Sequence, residues 1–189
     1  MFYSNLSALV ERSVPRIVAF SSVSHAAFMI SAMLVSSSEK IMLLYAASYT
    51  VSAVLLIGLL ASYAKGPELE LEDLYAVARM NPLSSFALAL AIFSLAGIPP
   101  FPLFFAKFYL LKELISSGFI GFALFGAIFS AVAAGYYLRM ARYAFLVDGK
   151  DARKTHPGSF PAFPVSLNAV AVLLFVFYLS YFFKILPPQ

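Results

Sequence analysis

The run from Asn81 to Glu113, NPLSSFALALAIFSLAGIPPFPLFFAKFYLLKE, is a membrane-length apolar segment that is both broken and charged. As one straight helix, rising about 1.5 Å per residue, the apolar stretch from Leu83 to Leu111 would overshoot a hydrocarbon core of about 30 Å. Pro99, Pro100 and Pro102 relieve the mismatch. Each lacks an amide hydrogen and disfavours helix at the residue before it, and Gly97 frees the backbone at the same place. The carbonyls of Leu95, Ala96 and Ile98 are expected to lose their helical donors. Irregular backbone survives at membrane depth only where protein or a water-filled cavity satisfies it, so the break predicts a hydrated interior. Lys107 follows about one turn beyond it.

The rest of the chain has the same character. Of its 189 residues 62% are hydrophobic and 12% charged, a balance that soluble domains do not have. The chain reads as an all-α, polytopic integral membrane protein forming one membrane domain over residues 1–189. Its net charge of +4 does not indicate nucleic acid, because the basic residues stand in short connections between apolar spans, where they set orientation. The absence of cysteine excludes disulfides, thiolate-held iron–sulfur clusters and thioether-linked haem. Only His25 falls within a span, His156 being in a connector, so paired-histidine haem ligation in the bilayer is excluded. No redox cofactor and no metal are expected on this chain.

Five spans are predicted, over about 17–35, 41–64, 83–115, 118–138 and 165–186, the third broken from Gly97 to Pro102. Met1 to Pro15 reads as a membrane-flanking segment, with a weak organelle-import signal as the alternative. In the first span Ser21, Ser22 and His25 share a helical face. An ionisable group near mid-span usually faces the bundle interior, and the residues alone leave His25 as either a packing histidine or a proton relay. In the second, Tyr45, Ser48, Tyr49 and Ser52 form a polar stripe, enough to glue helices together. The acidic connector with Glu68, Glu70, Glu72 and Asp73 reads as a short amphipathic surface helix, acids at its positive end; an interface with a neighbouring subunit is the sharper alternative. Asn81 and Pro82 mark the start of the third span. Gly126, Ser130 and Ala134 make a small-residue ridge on the fourth, which is expected to end in an interfacial belt of Tyr136, Tyr137 and Arg139.

Nine cations fall on the side of the N-terminus: Arg12, Arg16, Lys65, Arg79, Arg139, Arg142, Lys150, Arg153 and Lys154. Lys40, Lys112 and Lys184 fall on the other. This asymmetry puts the N-terminus on the matrix or cytoplasmic side.

Lys107 has two readings. Near a helix end a lysine can snorkel to the interface, yet Lys112 and Glu113 already mark that interface further along. If instead it is withdrawn from water, its amine can load and release a proton, and the open carbonyls of the first half-helix can hold water or the ammonium, as in the broken helices of transporters.

SLAGIPP from Ser94 to Pro100, followed by Lys107-Phe108-Tyr109, resembles the broken, lysine-bearing helix of the subunit N family (subunit 2 in mitochondria) of NADH:quinone oxidoreductase, respiratory complex I. Asn5-Leu6, Ala8-Leu9, Arg16, Ser21-Ser22-Val23-Ser24-His25, Tyr45, Tyr49 and Tyr136-Tyr137-Leu138-Arg139 extend the likeness across roughly Asn5 to Arg142. The resemblance implies the C-terminal half of an antiporter-like bundle that translocates protons, driven by quinone reduction elsewhere in the complex. It gives Lys107 the part of the terminal proton carrier and His25 that of a connecting group. Ser21, Ser22, Tyr45, Ser48, Tyr49 and Tyr109 would be supporting polar groups, with Gly97, Pro99, Pro100 and Pro102 forming the break. FMN, iron–sulfur clusters and quinone would belong to partner subunits, with no redox site in this chain. Two departures stand out: Leu103 replaces a common glycine, and Pro102 is an additional proline. A full member also carries a glutamate and two lysines inside the membrane before the part matched here, whereas no Asp or Glu lies in the interior of a predicted span of this chain, Glu113 standing at the edge of the third. The expectation is a split subunit, its N-terminal helices on a separate chain, in the mitochondrial inner membrane or alternatively a prokaryotic plasma membrane. The rival reading is a subunit of a multisubunit cation/proton antiporter with no redox partner; a third is a structural scaffold with a dead channel.

Overall fold

The computed structural model describes residues 1–35, 38–63, 69–79, 82–147 and Val170. Seven α-helices run through these residues: α1 (Phe2–Val10), α2 (Val14–Ser31), α3 (Ser38–Tyr63), α4 (Leu74–Ala78), α5 (Pro82–Ala96), α6 (Pro102–Ser116) and α7 (Ile120–Phe145). Three stretches, Val14–Leu34, Glu39–Ala61 and Ile120–Phe145, are long and apolar enough to cross a membrane. Apart from Val170, the span expected over 165–186 lies outside the described residues, as do the connector beyond residue 147 and the Asn81 cap.

The N-terminal segment is more than a flank. It forms α1, which packs on α2 and α7, and the chain turns sharply through Glu11–Ser13 into α2, whose first turn carries Pro15. That proline costs nothing there, because the first amides of a helix have no intrahelical partner. At the corner, residues 12–14 pair with the acidic connector: Val14 N–H donates to Leu69 O at 2.8 Å and Leu71 N–H to Arg12 O at 3.1 Å. The connector is amphipathic as its spacing predicts. Leu69, Leu71, Leu74 and Val77 are buried and Glu70 exposed, while Asp73 is drawn inside by a capping box with Glu70. Its far end is fastened to α7, where the Arg79 guanidinium lies over the Tyr75 ring at 3.6 Å and donates to Ala144 O at 3.3 Å.

The third predicted span is two half-helices, α5 and α6. Gly97 adopts φ +74°, a conformation open to glycine without strain, and closes α5 with Gly97 N–H donating to Ser94 O at 3.0 Å and Ile98 N–H to Phe93 O at 3.2 Å. This is the Schellman arrangement for ending a helix. Phe101 then caps α6, with Pro102 in its first turn. The Ile98 carbonyl, whose helical donor would have been Pro102, accepts instead from Phe101 N–H at 3.0 Å. The amides that would have reached the carbonyls of Leu95 and Ala96 belong to Pro99 and Pro100, which have no hydrogen to donate.

α7 continues to Phe145, two turns past the predicted end of the fourth span, and Tyr136, Tyr137 and Arg139 are turned toward other helices of the chain. Both tyrosines are fully buried, and Arg139 donates to the carbonyls of Ala8, Leu9 and Glu11 at the end of α1. With the charge occupied by another helix's unpaired carbonyls, nothing obliges α7 to stop. The small-residue ridge does permit close packing: a Cβ on Gly126 would come within 3.1 Å of Leu111 on α6 and 3.3 Å of Phe28 on α2.

Candidate functional site

α6 starts at Pro102, so Lys107 sits in its second turn and turns back over the break. Its side chain is buried, 4% exposed, which removes snorkelling as an account of its position. A Cβ built on Gly97 would stand 3.1 Å from Lys107 Nζ, so the ammonium occupies the space a larger residue would need. Nζ has no hydrogen-bond partner among the described residues. The ring of Phe28 lies 5.8 Å away, ring centroid to Nζ, within reach of a cation–π contact.

His25 is 2% exposed on the inner face of α2. Its Nδ1 shares a 3.0 Å hydrogen bond with the Tyr45 hydroxyl, and its ring lies 4.7 Å from that of Tyr49. Nε2 has no partner among the described residues. Two buried nitrogens, one on α2 and one on α6, are thus left without partners among the described residues, and Phe28, three residues past His25, brings its ring to 5.8 Å from Lys107 Nζ. Buried polar atoms are rarely left unpaired.

Around this pair the other expected residues divide. Ser21 accepts from the Tyr137 hydroxyl at 2.8 Å and Ser22 from Tyr49 at 2.7 Å. Ser48 is buried but donates to its own helix, to Leu44 O at 2.6 Å. Tyr109, two residues past Lys107 and so about 200° around the helix, is half-buried beside Phe108 on another side of α6. Further polar groups join, and of these Asn5, Ser24 and Ser94 were not singled out by spacing. Asn5 on α1 donates to Ser24 Oγ at 2.8 Å and receives the Tyr136 hydroxyl at 3.4 Å. The hydroxyls of Ser52 and Ser94 meet at 2.6 Å; since Ser52 donates to Ser48 O, Ser94 is the donor between them. That bond ties α3 to α5 one turn before the break. Asn5, Tyr136 and Tyr137 stood in the motifs that carried the resemblance; Phe28, an apolar residue at the centre of the site, had no sequence signal. Among the described residues no group of three or more His, Cys, Asp or Glu side chains is placed to hold a metal ion.

Residues 1–133 match the family described as NADH:quinone oxidoreductase/Mrp antiporter, transmembrane. The chain belongs to this family. Within it, NADH-quinone oxidoreductase subunit N from Geotalea uraniireducens is 32% identical over 177 residues, covering 92% of this chain and 38% of that protein. Subunit N 1 from Chloroherpeton thalassium is likewise 32% identical, over 95% of this chain and 38% of its own length. Among solved structures, a chain of respiratory complex I from Thermus thermophilus superposes with a TM-score of 0.82 at 26% identity, covering 93% of this chain and 40% of that one. The chain therefore spans well under half the length of these relatives, and it has the fold of a complex I membrane subunit of the antiporter type.

Proposed function

We propose that this chain is a proton-translocating, antiporter-like membrane subunit of an NADH:quinone oxidoreductase, with Lys107 as a proton carrier and His25 as the group it exchanges with. The observation that carries this reading is the burial of the Lys107 ammonium over the helix break, with no partner for Nζ among the described residues. A permanently structural lysine so deep would need an ion-pair partner to offset its desolvation; one that trades its proton needs room and water. His25 suits the exchange because Tyr45 holds Nδ1 while Nε2 stays open, and the partner bond on one ring nitrogen sets what the other can do. The electron-transfer groups, FMN, iron–sulfur clusters and quinone, belong on this reading to other subunits. The acidic partners of the path come, on this reading, from neighbouring membrane helices. The membrane is the mitochondrial inner membrane or a prokaryotic plasma membrane, with Glu11–Ser13 on the matrix or cytoplasmic side.

The test is proton pumping by the assembled oxidoreductase in sealed vesicles, with Lys107→Met and Lys107→Arg. Methionine keeps the stem's bulk and removes the titrating group; arginine keeps a charge that does not leave. Both variants are expected to assemble and to lower the protons moved per electron. Wild-type pumping by assembled Lys107→Met would end the proposal. The family description also embraces Mrp antiporters, which keeps a cation/proton antiporter subunit without redox partners as the second reading. Copurification of flavin- and iron–sulfur-bearing proteins with a tagged chain decides between them.

A further inference from the structure

We propose that Phe28 is an apolar gate between Lys107 and the Tyr45–His25 pair. This rests on the proton-translocating reading and names a residue that controls it. Phe28 lies three residues past His25, on the same face of α2, and is 2% exposed. Lys107 Nζ stands 5.8 Å from its ring centroid. The Tyr45 ring, hydrogen-bonded to His25, stacks on Phe28 at 5.8 Å and 21°. Gly126 of α7 supplies the room for the ring, since a Cβ there would come within 3.3 Å of Phe28 Cε1. One benzyl group is therefore wedged among α2, α3, α6 and α7, touching the carrier lysine on one side and the partner of His25 on another.

The ring does two things. Its face stabilises the ammonium, so Lys107 can wait there charged. It offers no lone pair and no exchangeable proton, and apolar walls do not hold the water that a proton wire needs. Transfer therefore waits for the ring to turn aside and admit water between Nζ and Nε2. One proton then leaves the ammonium, passes through water and arrives on the imidazole, giving a neutral amine and an imidazolium with no change in total charge. A gate at this point is what coupling demands, because a permanent wire between the two groups would let protons run back.

The experiment compares Phe28→Ala, Phe28→Gln and Phe28→Leu in the assembled oxidoreductase, reconstituted into liposomes with a trapped pH dye. Passive proton leak and protons moved per electron are read together, with Lys107→Met alongside. The gate predicts that leak appears when the apolar plug is lost, whether by polarity or by an unfilled space: Gln, which is polar, and Ala, which is too small, raise it severalfold and lower the pumping ratio, while Leu, apolar and bulky, stays tight. Gln and Leu are close to Phe in bulk, so this pair decides the matter even where the Ala variant fails to assemble. Wild-type leak and ratio in the variants, or equal leak from Leu and Gln, would overturn the gate. If pumping is lost in Lys107→Met but the Phe28 variants stay tight, only the gate is wrong; if Lys107→Met pumps normally, the underlying reading fails first.

Discussion

The Tyr137 hydroxyl donates to Ser21 Oγ at 2.8 Å, joining α7 to α2 across 116 positions of sequence. Ser21 donates in turn to the Val18 carbonyl at 2.9 Å. On the other side Tyr49 donates to Ser22, and Ser22 donates to the same Val18 carbonyl at 2.9 Å. Both arms end on one acceptor. A carbonyl has no proton to pass on, so this fork fixes α2 between α3 and α7 and holds the Tyr49 ring against His25; it does not conduct.

Tyr137→Phe should accordingly lower stability without uncoupling. It removes one buried hydrogen bond and leaves Ser21 with an unpaired oxygen, at a cost of about 1–3 kcal/mol. The thermal transition of the purified assembly is expected to fall while protons per electron stay at the wild-type value. A drop in that ratio comparable with Lys107→Met would mean the fork carries protons.

Gly97→Ala should act through Lys107. Forcing a side chain into φ +74° costs about 1–3 kcal/mol, and the new methyl would press on Nζ at 3.1 Å. Pumping is expected to fall with assembly retained. In the double variant with Lys107→Met the two losses should not add, because both remove the same seated ammonium; full additivity would separate Gly97 from the lysine.

Acid should loosen the α1–α2 corner. The Glu11 carboxyl is held below its usual range, first by the Ser13 N–H, then by the Arg12 N–H and the Arg16 charge, against the opposing effect of burial. A carboxyl whose folded value is depressed adds stability that is fully present above the unfolded value, 4.5, and is lost as pH falls through the lower folded value. Protease nicking between residues 10 and 14 should therefore rise as pH drops below that point, and Glu11→Gln should show higher nicking at neutral pH with the acid-dependent rise abolished. An unchanged acid response in Glu11→Gln would assign it to another group.

The corner at 11–13, the connector at 69–79 and the end of α7 share one face of the molecule, joined by the Arg12–Leu71 and Arg79–Ala144 hydrogen bonds. As the chain has no cysteine, single cysteines at Glu70 and Arg142 can be labelled cleanly in sealed vesicles. Both should react from the matrix or cytoplasmic side, and one at Lys112 from the opposite side. Labelling of Glu70 and Arg142 from different sides would contradict the fold, and labelling of both from the outer side would reverse the orientation read from the charges.

The broken helix was legible in the sequence because its causes are local. Proline lacks an amide wherever it stands, and the Gly97 turn needs no distant contact to end α5. The same holds for the shared face of Ser21 and His25, which helical spacing fixes, and for membrane character, which composition fixes. What the sequence left undecided was where each side chain points once helices meet. Tyr136, Tyr137 and Arg139 read as a belt, and only the docking of α1 onto α7, which brings Asn5 to Tyr136 and three carbonyls to Arg139, shows the partners they take inside the bundle. Phe28 is one of twenty phenylalanines until α3, α6 and α7 close around it. Spacing along one helix is set by bonds between near neighbours, whereas the partners of a buried group are set by which helices pack together, and that depends on the whole bundle at once.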